Sequence, residues 1–126
     1  MPSLTLVCLS DYTSVYSFVS TLENLESVLL VDLECECDFD QLKVDTLYTL
    51  EFLTGFPKDK SILVLNRIDS FISSPYDLQV RLNGLYGLVY SGVTVYVTLI
   101  RNKYNKYNEY IARMIDKVIE YKQAEL

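Results

Sequence analysis

The side chains able to do chemistry in this 126-residue chain are defined first by one that is missing, because it contains no histidine. Ser-His-Asp and Cys-His triads, His-ligated zinc and imidazole acid–base catalysis are excluded together. What remains is carboxylates, three cysteines and one cluster of cations. The densest acidic stretch is Asp32-Leu33-Glu34-Cys35-Glu36-Cys37-Asp38-Phe39-Asp40. Extended, it would set five carboxylates on one face, a conceivable site for a hard cation. Cys35 and Cys37 would need two further ligands to hold a soft metal, and no second Cys pair or His supplies them. The plainer reading is a solvated loop whose Asp38 or Asp40 caps the next helix.

Phosphate chemistry has its own requirements, and they are absent. A nucleotide-binding turn places glycines after the first strand so that backbone N–H groups close on phosphate. Here that turn reads Leu9-Ser10-Asp11-Tyr12-Thr13-Ser14, without Gly or Lys, and the first glycine of the chain is Gly55. Neither a Walker A nor a dinucleotide fingerprint is present. Asn66-Arg67-Ile68-Asp69 superficially matches the guanine-reading Asn-Lys-x-Asp of GTPases, yet it lacks the phosphate loop that motif serves. The simpler reading is a loop with Asn66 or Asp69 capping a turn.

One segment is basic. Residues 101–126 hold six of the 11 cations and four of the 17 acids, a net of +2, which leaves −8 on residues 1–100. Within it Arg101, Lys103 and Lys106 alternate with Asn102, Tyr104, Asn105 and Tyr107. Aromatic rings stack on bases while cations meet phosphates, so Arg101, Lys103, Tyr104, Lys106 and Tyr107 are the candidate nucleic-acid-binding residues. The bland alternative packs Tyr107 and Tyr110 under the last helix and leaves the lysines in water.

These groups need a scaffold, and the hydrophobic pattern supplies one. Leu4–Leu9, Ser27–Leu33, Ser61–Asn66 and Val93–Leu99 are short Val/Leu/Ile runs, apolar on both faces, as in strands covered on two sides. Helical spacing fills the intervals. A first helix is expected over about Tyr12–Leu25, on Val15, Phe18, Val19 and Leu22. A second is expected over about Asp40–Thr54, stopped by Gly55 and Pro57. A third starts near Pro75 behind Ser74 and carries Leu78, Leu82, Leu85 and Val89 to a stop at Gly92. A fourth covers roughly Lys106–Ala124, with Ile111, Met114, Ile115, Val118 and Ile119 as its stripe. The order β-α-β-α-β-α-β-α predicts one three-layer α/β/α domain over residues 1–126, with a mainly parallel sheet of about four strands.

Composition agrees with a packed globule, since half of the residues are hydrophobic and 22% are charged. Apolar runs are too short to span a membrane, and the start of the chain lacks a signal-peptide pattern, so an intracellular protein is expected, cytoplasmic or nuclear in a eukaryote. Three cysteines fit a reducing compartment. Eleven tyrosines favour an interaction role, and Tyr76, Tyr86, Tyr90 and Tyr96 are not all expected in the central core.

The strand ends together resemble the core of RecA/RadA-type recombination ATPases and their paralogues. Val28–Glu34 resembles that family's second core strand, Ser61–Ser70 its Walker B strand, and Gly92–Thr98 the strand that follows, over roughly residues 4–105. In that family the next loop contacts single-stranded DNA, which here is the segment beginning at Arg101. Three departures accompany the likeness: there is no Walker A, Asn66 stands where the Walker B Asp would be, and Leu99-Ile100-Arg101 replaces a terminal Gln. The resemblance therefore implies a RecA-like, P-loop-less pseudo-ATPase that binds no cofactor. It would be a non-enzymatic accessory or mediator subunit in a DNA recombination or repair complex, in a hetero- or homo-oligomer.

Two alternatives belong to other classes. One is a flavodoxin-like or receiver-like signalling domain, suggested by length and by Asp69, although a second acid beside Asp11 and a fifth strand are not apparent. The other is a carboxylate and metal-dependent enzyme built on Asp11, Asp32 and Asp69. Strand order separates the first two readings. A 5-1-4-3-2 order favours the RecA-like core, and strand one between two and three favours the flavodoxin-like one.

Overall fold

Leu4–Leu9 forms the strand β1, in which every residue except Cys8 is buried. A computed structural model describes residues 3–10, 14–22, 25–31, 58–68, 74–100 and 108–121. Helix α1 spans Ser14–Ser20, and a 3-10 turn at Leu25–Ser27 leads into strand β2, Val28–Val31. Strand β3 is Ile62–Leu65, helix α2 Pro75–Tyr90 and strand β4 Thr94–Ile100. Helix α3, Asn108–Met114, and strand β5, Lys117–Tyr121, follow. The expected helix over Asp40–Thr54 lies outside the described residues.

All strand pairs are parallel, and the sheet order is β2-β3-β4-β1-β5. The alternating pleat divides its side chains between two cores. Leu6, Leu29, Val31, Leu63, Val95 and Val97 point to one face, under the α2 residues Leu78, Leu82, Leu85 and Leu88 and the α3 residue Ile111. Val7, Leu9, Leu30 and Val64 point to the other, against Val15, Phe18 and Val19 of α1. The result is a three-layer α/β/α arrangement. Each fully buried Leu or Val contributes roughly 1.5–3 kcal/mol relative to exposure, which explains why both strand faces are apolar in the sequence.

The helix placement follows from strand order. The chain moves from β3 to β4 and from β4 to β5 in one direction across the sheet, and α2 and α3 share a face. It moves from β1 to β2 in the opposite direction, with α1 on the other face. A uniform crossover hand requires this division.

Both ends of α2 are where local chemistry places them. The Ser74 hydroxyl accepts the Asp77 N–H at 3.0 Å, and Pro75 occupies the first turn. At the other end Gly92 N–H donates to the Val89 carbonyl and Val93 N–H to the Leu88 carbonyl, each at 3.0 Å. Gly92 has φ of 107°, the left-handed conformation that completes this termination.

Two expectations are corrected. The sheet has five described strands rather than about four, and the expected fourth helix divides into α3 and β5. Val118 and Ile119 continue the helical stripe of Ile111, Met114 and Ile115, so helical periodicity alone accepts them. They are nevertheless β-branched residues, with Tyr121 two positions after Ile119, and β1 has an open edge that β5 closes through the register Leu6↔Val118 and Val7↔Ile119. Long-range pairing overrides the local pattern. The fifth strand that a receiver-like fold would need is thus present, but strand one does not lie between two and three, and the flavodoxin-type order is not the order of this sheet. No described helix is long and apolar enough to cross a membrane.

Candidate functional site

In an open parallel sheet the chemistry gathers at the carboxyl ends of strands, where neighbouring connections diverge. Here that point lies between β4 and β1, because α1 leaves β1 over one face and α3 follows β4 over the other. The residues next to it are Ser10 after β1, Asn66 and Arg67 after β3, and Thr98 to Ile100 at the end of β4.

Asn66 and Thr98 face each other because Leu65 and Val97, the residues before them, are register partners. The Thr98 hydroxyl donates to Asn66 Oδ1 at 2.9 Å and accepts the Arg67 backbone N–H at 2.7 Å. The Asn66 N–H donates to the Val31 carbonyl at 2.9 Å, so this one residue ties the ends of three strands. Asn66 and Thr98 are fully buried and Arg67 nearly so. Arg67 adopts φ of 59°, a left-handed conformation that costs a non-glycine residue about 1–2 kcal/mol. Asn66 therefore works as a neutral strand-end clasp. An amide in this position cannot supply a carboxylate's charge to a magnesium shell.

At the end of β1 the Ser10 and Ser14 hydroxyls are 2.9 Å apart, joining the strand to the first residue of α1. On the face shared with α3, a cavity of about 270 Å³ opens between β1, β4 and that helix, lined by Leu6, Cys8, Leu99, Asn108, Glu109 and Ala112 among others. Its walls are mostly apolar. No periodicity in the sequence announces it, since it arises only where α3 meets two strands remote from one another in the chain.

The remaining expected site residues lie outside the described residues. These are Arg101, Lys103, Tyr104, Lys106 and Tyr107 of the basic segment, the acidic Asp32–Asp40 stretch with Cys35 and Cys37, and Asp11 and Asp69. Among the described residues, no group of three or more His, Cys, Asp or Glu side chains could hold a metal ion. Tyr110 is half exposed on α3 rather than packed beneath it. Tyr76 and Tyr90 are exposed, whereas Tyr96 is partly buried with its ring edge-on to Phe18 at 5.3 Å. No family model matches this chain, and no curated protein or solved structure matches it.

Proposed function

We propose that this chain is a RecA-like binding subunit without ATPase activity, an accessory or mediator component of a DNA recombination or repair assembly. The observation that carries this reading is the strand order. Taken from the β5 edge it is 5-1-4-3-2, with β4 between β1 and β3, the order that separates a RecA-like core from a flavodoxin-like one. Two features of the strand ends support the pseudo-enzyme part. The turn after β1 has no glycine or lysine for phosphate, and Asn66 engages Thr98 where a metal-binding Asp would be needed.

Binding to single-stranded DNA is assigned to the segment that continues from Ile100, through Arg101, Lys103, Tyr104, Lys106 and Tyr107. Its start is set by the carboxyl end of β4, beside the divergence of β1 and β4. The surrounding acidic body discourages non-specific contact elsewhere on the surface.

Fluorescence anisotropy with a labelled single-stranded oligonucleotide tests this. Binding is expected without ATP and should weaken linearly in log–log form as salt rises, by about 0.7 per phosphate contacted. Replacing Arg101, Lys103 and Lys106 with Ala should lower that slope by about 2 while the circular dichroism spectrum is retained. No binding at about 100 µM protein, a slope unchanged in the triple variant, or measurable ATP turnover would overturn the reading.

A further inference from the structure

The outward face of α2 is built unlike a solvated helix face. Tyr76, Val80, Asn83, Gly87 and Tyr90 are all exposed, with Tyr76 at 77%, Val80 at 50% and Tyr90 at 87%. Their spacing of four, three, four and three residues draws one stripe along the helix, opposite the buried Leu78, Leu82 and Leu85. The exposed stripe carries no charge in a chain of net charge −6. The only charged side chains of α2, Asp77 and Arg81, flank it and pair with each other at 3.5 Å.

We propose that this stripe is a homodimer interface, in which α2 packs antiparallel against α2 of a second copy about a two-fold axis at Asn83. The stripe is self-complementary only in that arrangement. Tyr76 then lies opposite Tyr90 of the partner, and Val80 comes within one residue's rise, about 1.5 Å, of the level of the partner's Gly87. A Cβ placed on Gly87 has no atom within 4 Å, so the position is an open notch, and Val80 is the projection that fills it. Large against small is how facing helices interdigitate. Asn83 meets its own copy, and two amides related by a dyad can each donate and accept. A single amide in an otherwise apolar seam also fixes register. Parallel pairing would set Gly87 against Gly87 over a void and align the two helix dipoles unfavourably.

Charge and area both select a second copy as the occupant. Two bodies of −6 each repel overall, and a neutral stripe is a surface through which they meet without bringing like charges together. Two exposed tyrosines offer about 300 Å² between them, given roughly 150–250 Å² per aromatic side chain. With Val80, Gln79, Asn83 and Gly87 the face approaches about 600 Å² per protomer, the lower bound for a specific interface. A helix of 16 residues is about 24 Å long, so the dimer should be reversible, dissociating in the micromolar range. The inference is independent of the RecA-like reading, since it uses neither the strand ends nor the basic segment.

Sedimentation velocity of the full chain from about 1 to 300 µM should show a monomer–dimer equilibrium. Gly87→Gln fills the notch and should weaken the dimer at least about tenfold while leaving the thermal melt of dilute protein unchanged or higher. Val80→Glu should do the same by burying a like charge. Asn83→Cys should form a disulfide-linked dimer under mild oxidation, above any crosslinking of the wild-type chain, because the two thiols meet at the axis. A monomer at about 300 µM would overturn the proposal. So would a dimer that Gly87→Gln and Val80→Glu leave intact and Asn83→Cys does not crosslink, since another surface would then hold it.

Discussion

The Thr98 hydroxyl donates to Asn66 Oδ1 at 2.9 Å, joining the ends of two parallel strands in a fully buried position. Both hydrogen-bonding capacities of that hydroxyl are used, because it also accepts the Arg67 N–H. The left-handed backbone of Arg67 is held by this contact. Thr98→Val keeps the shape of the side chain and removes the partner of two buried polar groups. A loss of about 1–3 kcal/mol is expected in urea unfolding, whereas Thr98→Ser should recover most of it. A loss in Thr98→Ser with none in Thr98→Val would mean that packing of the methyl group, not the hydroxyl, stabilises the clasp.

Two glycines around the end of α2 should respond in opposite directions. Gly87 lies within the helix with open space where a Cβ would stand, so Gly87→Ala should stabilise dilute protein by about 0.5–1 kcal/mol. Gly92 holds φ of 107° at the helix end, so Gly92→Ala should destabilise by about 1–2 kcal/mol. Thermal melts of the two variants, run below the dimerisation range, give both signs in one experiment.

Tyr86 predicts an alkaline limit to stability. Burial raises its pKa above the ordinary tyrosine range, the Asp116 carboxylate adds to the rise, and a backbone hydrogen bond at Asp116 opposes it. The folded chain therefore retains the phenol proton where the unfolded chain has begun to release it. This contribution is complete below about pH 10 and is lost as pH climbs through the higher folded value. Tyr86→Phe should flatten the decline in melting temperature above pH 10 relative to the wild-type chain, with little change near neutrality. An identical alkaline decline in the variant would remove Tyr86 as its cause.

Much of the framework was legible because it rests on short-range rules. Leu4–Leu9 reads as a strand and is one, since apolar residues on both faces over six positions suit a doubly covered strand. Ser74-Pro75 and Gly92 bracket α2 as their conformational preferences require. The same rules misread Lys117–Tyr121, because Val118 and Ile119 satisfy helical spacing and strand propensity alike and only the open edge of β1 chooses between them. The clasp was half legible. Asn66 stands out at a strand end, but its partner Thr98 is 32 positions away, and no local pattern links them.

By itself, then, the amino-acid sequence determined the strands β1 to β4 and the helices α1 and α2, and it removed imidazole and phosphate-loop chemistry outright. Both follow from residue types and local periods. Only the tertiary structure decided that β4 lies between β1 and β3, that β5 is a strand, and that Asn66 meets Thr98. Those outcomes depend on which distant edges pair and which faces are covered, and the energy of that choice lies in contacts that separate stretches of sequence make only after the chain has folded.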